Sequence, residues 1–233
     1  KNITIFRTDG ASEWNPISTI VPTNANNCFK VTGWTTGSWS TYTEPTHDIT
    51  INAPESGTIT VTINGNTTTV TNEATTIEDV ALNAQMTVNY IPNNGYIVGK
   101  SHIIIGTNDT ISTTTSNTYT VCGPTEITAY FVTEEDQVVY LRPNDNWLAG
   151  NALFYAYVFN RYGDNEWIEL TTEETDYTGA YGCTIPAGYS DVIFVRLNPN
   201  GTDNSNNKLN FNNAWNQTVD YVIPINPTNN RFI

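Results

Sequence analysis

The sequence predicts an all-β protein made of antiparallel β-sandwich domains in tandem. Three observations lead there. Short segments alternate apolar and polar residues, as in Ile59-Thr60-Val61-Thr62-Ile63, the period of a strand with one buried face. Turn signals such as Asn64-Gly65 and Pro92-Asn93-Asn94-Gly95 interrupt these runs, at the spacing of about ten residues that sandwiches use. No segment holds a helical period between caps, and 75–82 allows one helical turn and nothing more.

The elements follow in order. Residues 49–52 and 59–63 read as strands, the second running straight into the hairpin dipeptide Asn64-Gly65. Strands are expected at 87–91, 103–105, 119–121 and 127–131. Two composition breaks mark boundaries: Thr43-Glu44-Pro45-Thr46 closes an aromatic-rich first segment, and Thr133-Glu134-Glu135-Asp136 divides a Thr-rich middle from a second aromatic-rich segment. Both read as short linkers. The expected layout is 1–45, 46–134 and 135–233.

Composition excludes several classes of partner. The 233 residues carry 9 basic and 23 acidic side chains, a formal net charge of −14. Phosphate backbones and anionic membrane surfaces both need clustered Lys and Arg, so neither nucleic acid nor such a membrane is an expected partner. Aromatics at 12% argue against disorder. No apolar run approaches the roughly 18 residues of a membrane span, and no membrane insertion is expected. The opening Lys-Asn-Ile-Thr-Ile-Phe has no signal-peptide pattern and reads as a mature or excised piece. Cys28, Cys122 and Cys183 are scattered, so they are expected as small buried side chains rather than as disulfides or metal ligands.

The chain contains an internal repeat. Asp191-Val192-Ile193-Phe194-Val195-Arg196 parallels Asn2-Ile3-Thr4-Ile5-Phe6-Arg7, and Ala214-Trp215-Asn216-Gln217-Thr218 parallels Glu13-Trp14-Asn15-Pro16-Ile17. Val222-Ile223-Pro224 then parallels Ile20-Val21-Pro22, and Asn229-Asn230-Arg231-Phe232-Ile233 parallels the stretch from Asn26. The first copy runs on through 32–42, and the second lacks a counterpart of that strand. A module short of an edge strand leaves backbone groups unpaired and apolar surface open. Either the chain is a window on a longer tandem protein, or the first segment of one chain completes the last module of another by strand addition.

The last hundred residues carry an ordered set of blocks: Val139-Tyr140-Leu141-Arg142-Pro143-Asn144-Asp145-Asn146-Trp147, then 152–160, Glu166-Trp167-Ile168-Glu169-Leu170, 192–199 and Trp215-Asn216-Gln217-Thr218. This pattern resembles the starch-binding modules of carbohydrate-binding family 26, found in bacterial amylases and cell-surface starch-binding proteins, with a partial second copy at 1–45. The middle segment resembles the immunoglobulin-like bacterial repeats that space modules in secreted proteins, through 88–96 and 119–131. The resemblance implies immunoglobulin-like sandwiches, an extracellular or cell-surface setting, and non-catalytic binding of starch or another α-glucan, with no cofactor and no metal.

The chemistry of such binding is simple. Glucose offers apolar faces rimmed by hydroxyls, so aromatic rings stack on the faces while amides reach the rim. Tyr155 and Tyr157 lie two apart and share a strand face, which turns Phe154, Ala156 and Val158 to the core. Trp167 follows the turn-like Tyr162-Gly163-Asp164-Asn165 and returns beside that strand. The resemblance places Tyr155, Tyr157 and Trp167 at the family's stacking positions and Gln217 at its hydrogen-bonding position; Pro16 stands there in the first copy. On pattern alone, alternating aromatics also read as sandwich core. Trp147 and Trp215 are expected to pack, and Trp34 and Trp39 to cover a sheet face.

Other chemistry finds little support. The loop at 198–204 offers one carboxylate, too few for a tight Ca²⁺ site. His47 and His102 are isolated and have no obvious Ser, Cys or acid partner of the kind a hydrolytic triad needs. No pair of carboxylates is set across a cleft as a glycosidase requires, so no enzyme activity is expected. The alternative reading is a structural subunit of a bacterial surface filament, built from copies of the chain head-to-tail by β-strand complementation.

Overall fold

The computed structural model describes residues 1–8, 13–23, 26–172, 177–201, 209–225 and 231–232. The chain divides into two compact units, Lys1–Thr46 and His47–Ile233. It is mostly strand in several antiparallel sheets, as the alternation predicts.

The first unit holds two hairpins: β1 (Asn2–Thr8) with β2 (Glu13–Ile20), and β3 (Cys28–Val31) with β4 (Gly37–Ser40). Ile5 faces Ile17 across the first. Phe29 faces Trp39 across the second, with ring centroids 5.1 Å apart. Trp39 Nε1 donates to Thr19 Oγ1 (3.1 Å) and ties the hairpins together. Trp34 does not cover a sheet face as expected. It sits in the β3–β4 turn, 72% exposed, with the Arg7 guanidinium 5.6 Å from its ring centre. Thr32 and Gly33 both donate to the Thr36 carbonyl, so Trp34 stands in a turn and not on a strand.

In the second unit, the strands of the middle sandwich are β5 (Thr46–Ile51), β6 (Gly57–Ile63), β7 (Asn66–Val70), β8 (Thr75–Ala81), β9 (Gln85–Pro92), β10 (Tyr96–Ile105), β11 (Asn108–Ser112), β12 (Ser116–Thr120) and β13 (Thr125–Thr133). They form one sheet in the order β11-β10-β13-β5-β8 and another in the order β12-β9-β6-β7. Every second residue of β6 is buried, and Ile59, Val61, Met86, Val88, Ile103, Ile127 and Phe131 meet in one core. The Asn64-Gly65 turn has φ of 51° and 82°, the left-handed pair that a two-residue hairpin turn needs. Two expectations change. Thr75–Ala81 is strand: Ile77 and Val80 both pack against the core, with Asp79 at φ 55° between them. The β5–β13 pair is parallel, since the first and last strands of this sandwich run the same way.

The last module follows with β14 (Gln137–Leu141), a helical turn α1 (Asp145–Leu148), β15 (Leu153–Phe159), β16 (Asn165–Glu169), β17 (Tyr181–Ile185), β18 (Asp191–Leu197), β19 (Ala214–Gln217), β20 (Tyr221–Val222) and β21 (Arg231–Phe232). Its sheets are β17-β14-β21 and β16-β15-β18-β19, with β20 also on β18. Val139, Phe154, Ala156, Val158, Cys183, Val192, Phe194 and Ile223 form a second core. The helical turn was not foreseen. Asn144 caps it, its side chain accepting from Trp147 N (3.1 Å), and this sets Trp147 in a stack on Phe154 (6.2 Å, 16°). Trp147 therefore packs, as expected. Trp215 is more open, with the Arg196 guanidinium over its ring at 4.5 Å. Of the cysteines, Cys183 is buried, Cys28 half-buried and Cys122 exposed at the start of a turn, where no core residue is needed.

The acidic stretch at 134–136 is bonded into both sandwiches rather than free. Thr133 N donates to Tyr189 O (2.9 Å), Gly188 N to Thr133 O (3.0 Å), Glu134 N to Gly95 O (2.9 Å) and Ala187 N to Asp136 Oδ1 (2.9 Å). Tyr96 adds its hydroxyl to the Ile223 carbonyl (2.6 Å). Arg196 is the buried charge on which the helical turn closes, donating to Trp147 O (2.7 Å) and Ala149 O. Arg196→Gln is expected to lower the unfolding free energy by about 2 kcal/mol, because buried carbonyls lose a charged donor; chemical denaturation measures it.

Candidate functional site

The exposed face of the β16-β15-β18-β19 sheet gathers the residues singled out in the sequence. Phe154, Ala156 and Val158 are buried, so the alternation of β15 turns Tyr155 and Tyr157 to the other side. Register then sets their neighbours. Tyr157 is paired with Trp167 on β16 and with Ile193 on β18, and Tyr155 with Glu169 and Val195. Val195 is paired in turn with Gln217 on β19. Gln217 thus shares a cross-strand row with Tyr155, separated from it by β18.

The rings form a cluster at steep angles. Tyr157 and Trp167 have centroids 5.1 Å apart at 59°, and Tyr155 and Trp167 6.5 Å at 69°. All three are half-buried. Burial, and then the Glu169 carboxylate across the strand pair, raises the pKa of Tyr155, so its hydroxyl keeps its proton at neutral pH.

One ring escaped the sequence reading. Phe211, in a one-turn helix at Phe211–Asn213 just before β19, meets Tyr157 (4.9 Å, 75°) and Trp167 (4.9 Å, 52°) and is itself 38% exposed. Its turn is capped by Asn210, which accepts from Asn213 N (2.9 Å). The Asn-Phe-Asn-Asn run was the available signal: a large apolar residue inside an otherwise polar loop.

Beside the cluster lies an open depression of about 560 Å³ lined by Tyr157, Phe159, Ile193 and Phe211 on its apolar side and by Asn160, Asp164, Asn165 and Gln217 on its polar side. Tyr157 and Gln217 border this space; Tyr155 and Trp167 back the rings that do, and do not line it. Of these polar residues Gln217 comes from β19, and Asn160, Asp164 and Asn165 come from the β15–β16 turn. There Asp164 N donates to Asn160 Oδ1 (2.9 Å), and Asn160 Nδ2 donates to Asp164 Oδ2 (2.9 Å) and Gly188 O (3.2 Å). Apolar rings on one wall and amides and a carboxylate on the other suit a flat, hydroxylated ligand.

Elsewhere the sequence candidates separate. His102 does have an acidic neighbour, Asp109 Oδ1 at 2.5 Å from Nε2, because β10 and β11 form a hairpin. Residues 202–208 of the Asn-rich loop lie outside the described residues, as do 173–176. Among the described residues no three of His, Cys, Asp and Glu converge as metal ligands, and no helix is long and apolar enough to cross a membrane. Comparison with protein-family models, curated proteins and solved structures returned no match.

Removing Phe211 uncovers its two ring neighbours. Phe211→Ala is expected to raise acrylamide quenching of the tryptophan fluorescence through Trp167, with a stability loss of no more than about 1 kcal/mol because the ring is already part-exposed. Unchanged quenching would mean Phe211 does not shield the cluster in solution.

Proposed function

We propose that the last module is a non-catalytic carbohydrate-binding module for starch or a related α-glucan, acting in an extracellular or cell-surface bacterial protein. The observation that carries this is the angled cluster of Tyr157, Trp167 and Phe211 beside a depression whose other wall is amide and carboxylate. Successive glucose faces turn along an α-glucan helix, so rings set at a steep angle, 75° between Tyr157 and Phe211, suit it better than a coplanar row. Tyr157 and Phe211 take the sugar faces, Tyr155 and Trp167 complete the platform, and Gln217 bonds the hydroxyl rim. Retention on insoluble starch tests this. Trp167→Ala is expected to weaken it about tenfold, because Tyr157 and Phe211 lose the ring that backs them, and undiminished retention would remove the platform.

A second reading has its own observation. Ile3 and Phe6 are exposed, while their repeat counterparts Val192 and Val195 are fully buried. Likewise β3 pairs with β4, whereas β21, its counterpart, has no strand on its outer side among the described residues. Head-to-tail copies, with 30–42 of one chain laid on β21 of the next, satisfy both surfaces. Sedimentation at rising concentration is then expected to show polymers that Trp39→Asp reduces; a chain monomeric throughout would sink this reading and leave the first intact.

A further inference from the structure

The β15–β16 turn that forms most of the polar wall of the depression is held from outside by the middle sandwich. Arg161 stands in that turn. Its guanidinium bonds Asp191 through Nε (3.3 Å) and Nη2 (3.0 Å) and reaches Glu55 of the middle sandwich at 2.9 Å. Asp191 is only 1% exposed and also accepts from Ser190 Oγ (2.6 Å). The next residue, Tyr162, is gripped from the same side. Its ring meets Tyr130 edge-on (5.9 Å), and Lys100 Nζ lies 5.6 Å from its centre. Gly99 makes room for it, since a Cβ there would stand 2.7 Å from the Tyr162 hydroxyl and 2.9 Å from Val132. Neither Arg161 nor Tyr162 lines the depression, while Asn160, Gly163, Asp164 and Asn165 around them do.

We propose that the middle sandwich is a positioning element for the binding face: through Glu55 on Arg161 and through the Gly99–Tyr162 contact it fixes the turn that carries Asn160, Asp164 and Asn165, and so sets the affinity for α-glucan. The inference rests on the glucan reading above. Its physical basis is that a five-residue turn held only by its own Asx hydrogen bonds samples several shapes, and each outside contact reduces the ordering a ligand must impose. Arg161 and Tyr162 are positioning residues here, since neither reaches the sugar.

The test acts from the middle sandwich, because removing Arg161 strands a buried carboxylate and destabilises the chain for unrelated reasons. Calorimetric titration of the full chain with maltoheptaose compares the unsubstituted protein with Glu55→Gln, with Gly99→Ala, and with Ile103→Val, a core variant of the same sandwich. Glu55→Gln and Gly99→Ala are each expected to weaken binding about fivefold, and Ile103→Val not at all, whatever its effect on melting temperature. Combined with Asp164→Ala, which loosens the same turn, either should cost less than the product of the separate losses. Binding unchanged in both variants, strict additivity with Asp164→Ala, or equal weakening by Ile103→Val overturns the inference and leaves the glucan reading standing. Absence of binding by the unsubstituted chain overturns both.

Discussion

A β-strand has two faces and no freedom to choose a third, and in β15 both are in use. Phe154, Ala156 and Val158 lie in the core of the last module, stacked against Trp147 and the strands of the facing sheet. The same pleat turns Tyr155 and Tyr157 outward, where antiparallel register sets Trp167 directly beside Tyr157. A slip of one residue would bury the tyrosines and expose the core side chains together. The apolar cost of that slip is what locks the ring cluster in place.

The repeat shows that burial belongs to context as much as to sequence. Val192 and Val195 are fully buried, whereas Ile3 and Phe6, at matching places in β1, stand part-open in a unit of two hairpins whose only buried apolar residue among those described is Ile17. Small units of this kind bury little of their surface. Of the polar groups, Arg196 is spent inside the fold, closing the carbonyls after Trp147, while Arg161 joins a buried carboxylate of its own module to a carboxylate of the middle sandwich. The two sandwiches of the second unit are therefore connected by side chains and backbone, beyond the chain crossing between β13 and β14.

Much of the fold was legible in the sequence because its signals are local. Alternation marks β6, β9, β13 and β15, and Asn64-Gly65 is readable as a turn since few other pairs accept two positive φ values. The segment at 75–82 was misleading: its apolar residues Ile77 and Val80 are three apart, which fits a helix, and β8 accommodates them only through an irregular residue, Asp79, at φ 55°. Trp34 reads as a sheet residue because it is a tryptophan in a strand-rich stretch, although the flanking Gly33 and Gly37 are signals of the turn that leaves it open.

The amino-acid sequence by itself determined the all-β class, the strand alternation and the shared face of Tyr155 and Tyr157, for these depend on periods of two and on turn chemistry within a few residues. Only the tertiary structure decided that Phe211 folds over Tyr157 and Trp167, that Gln217 borders the same depression from two strands away, and that the β15–β16 turn is braced by Glu55 and Gly99. Those contacts join residues tens to more than a hundred positions apart, and no local pattern encodes the register and sheet order that bring them together.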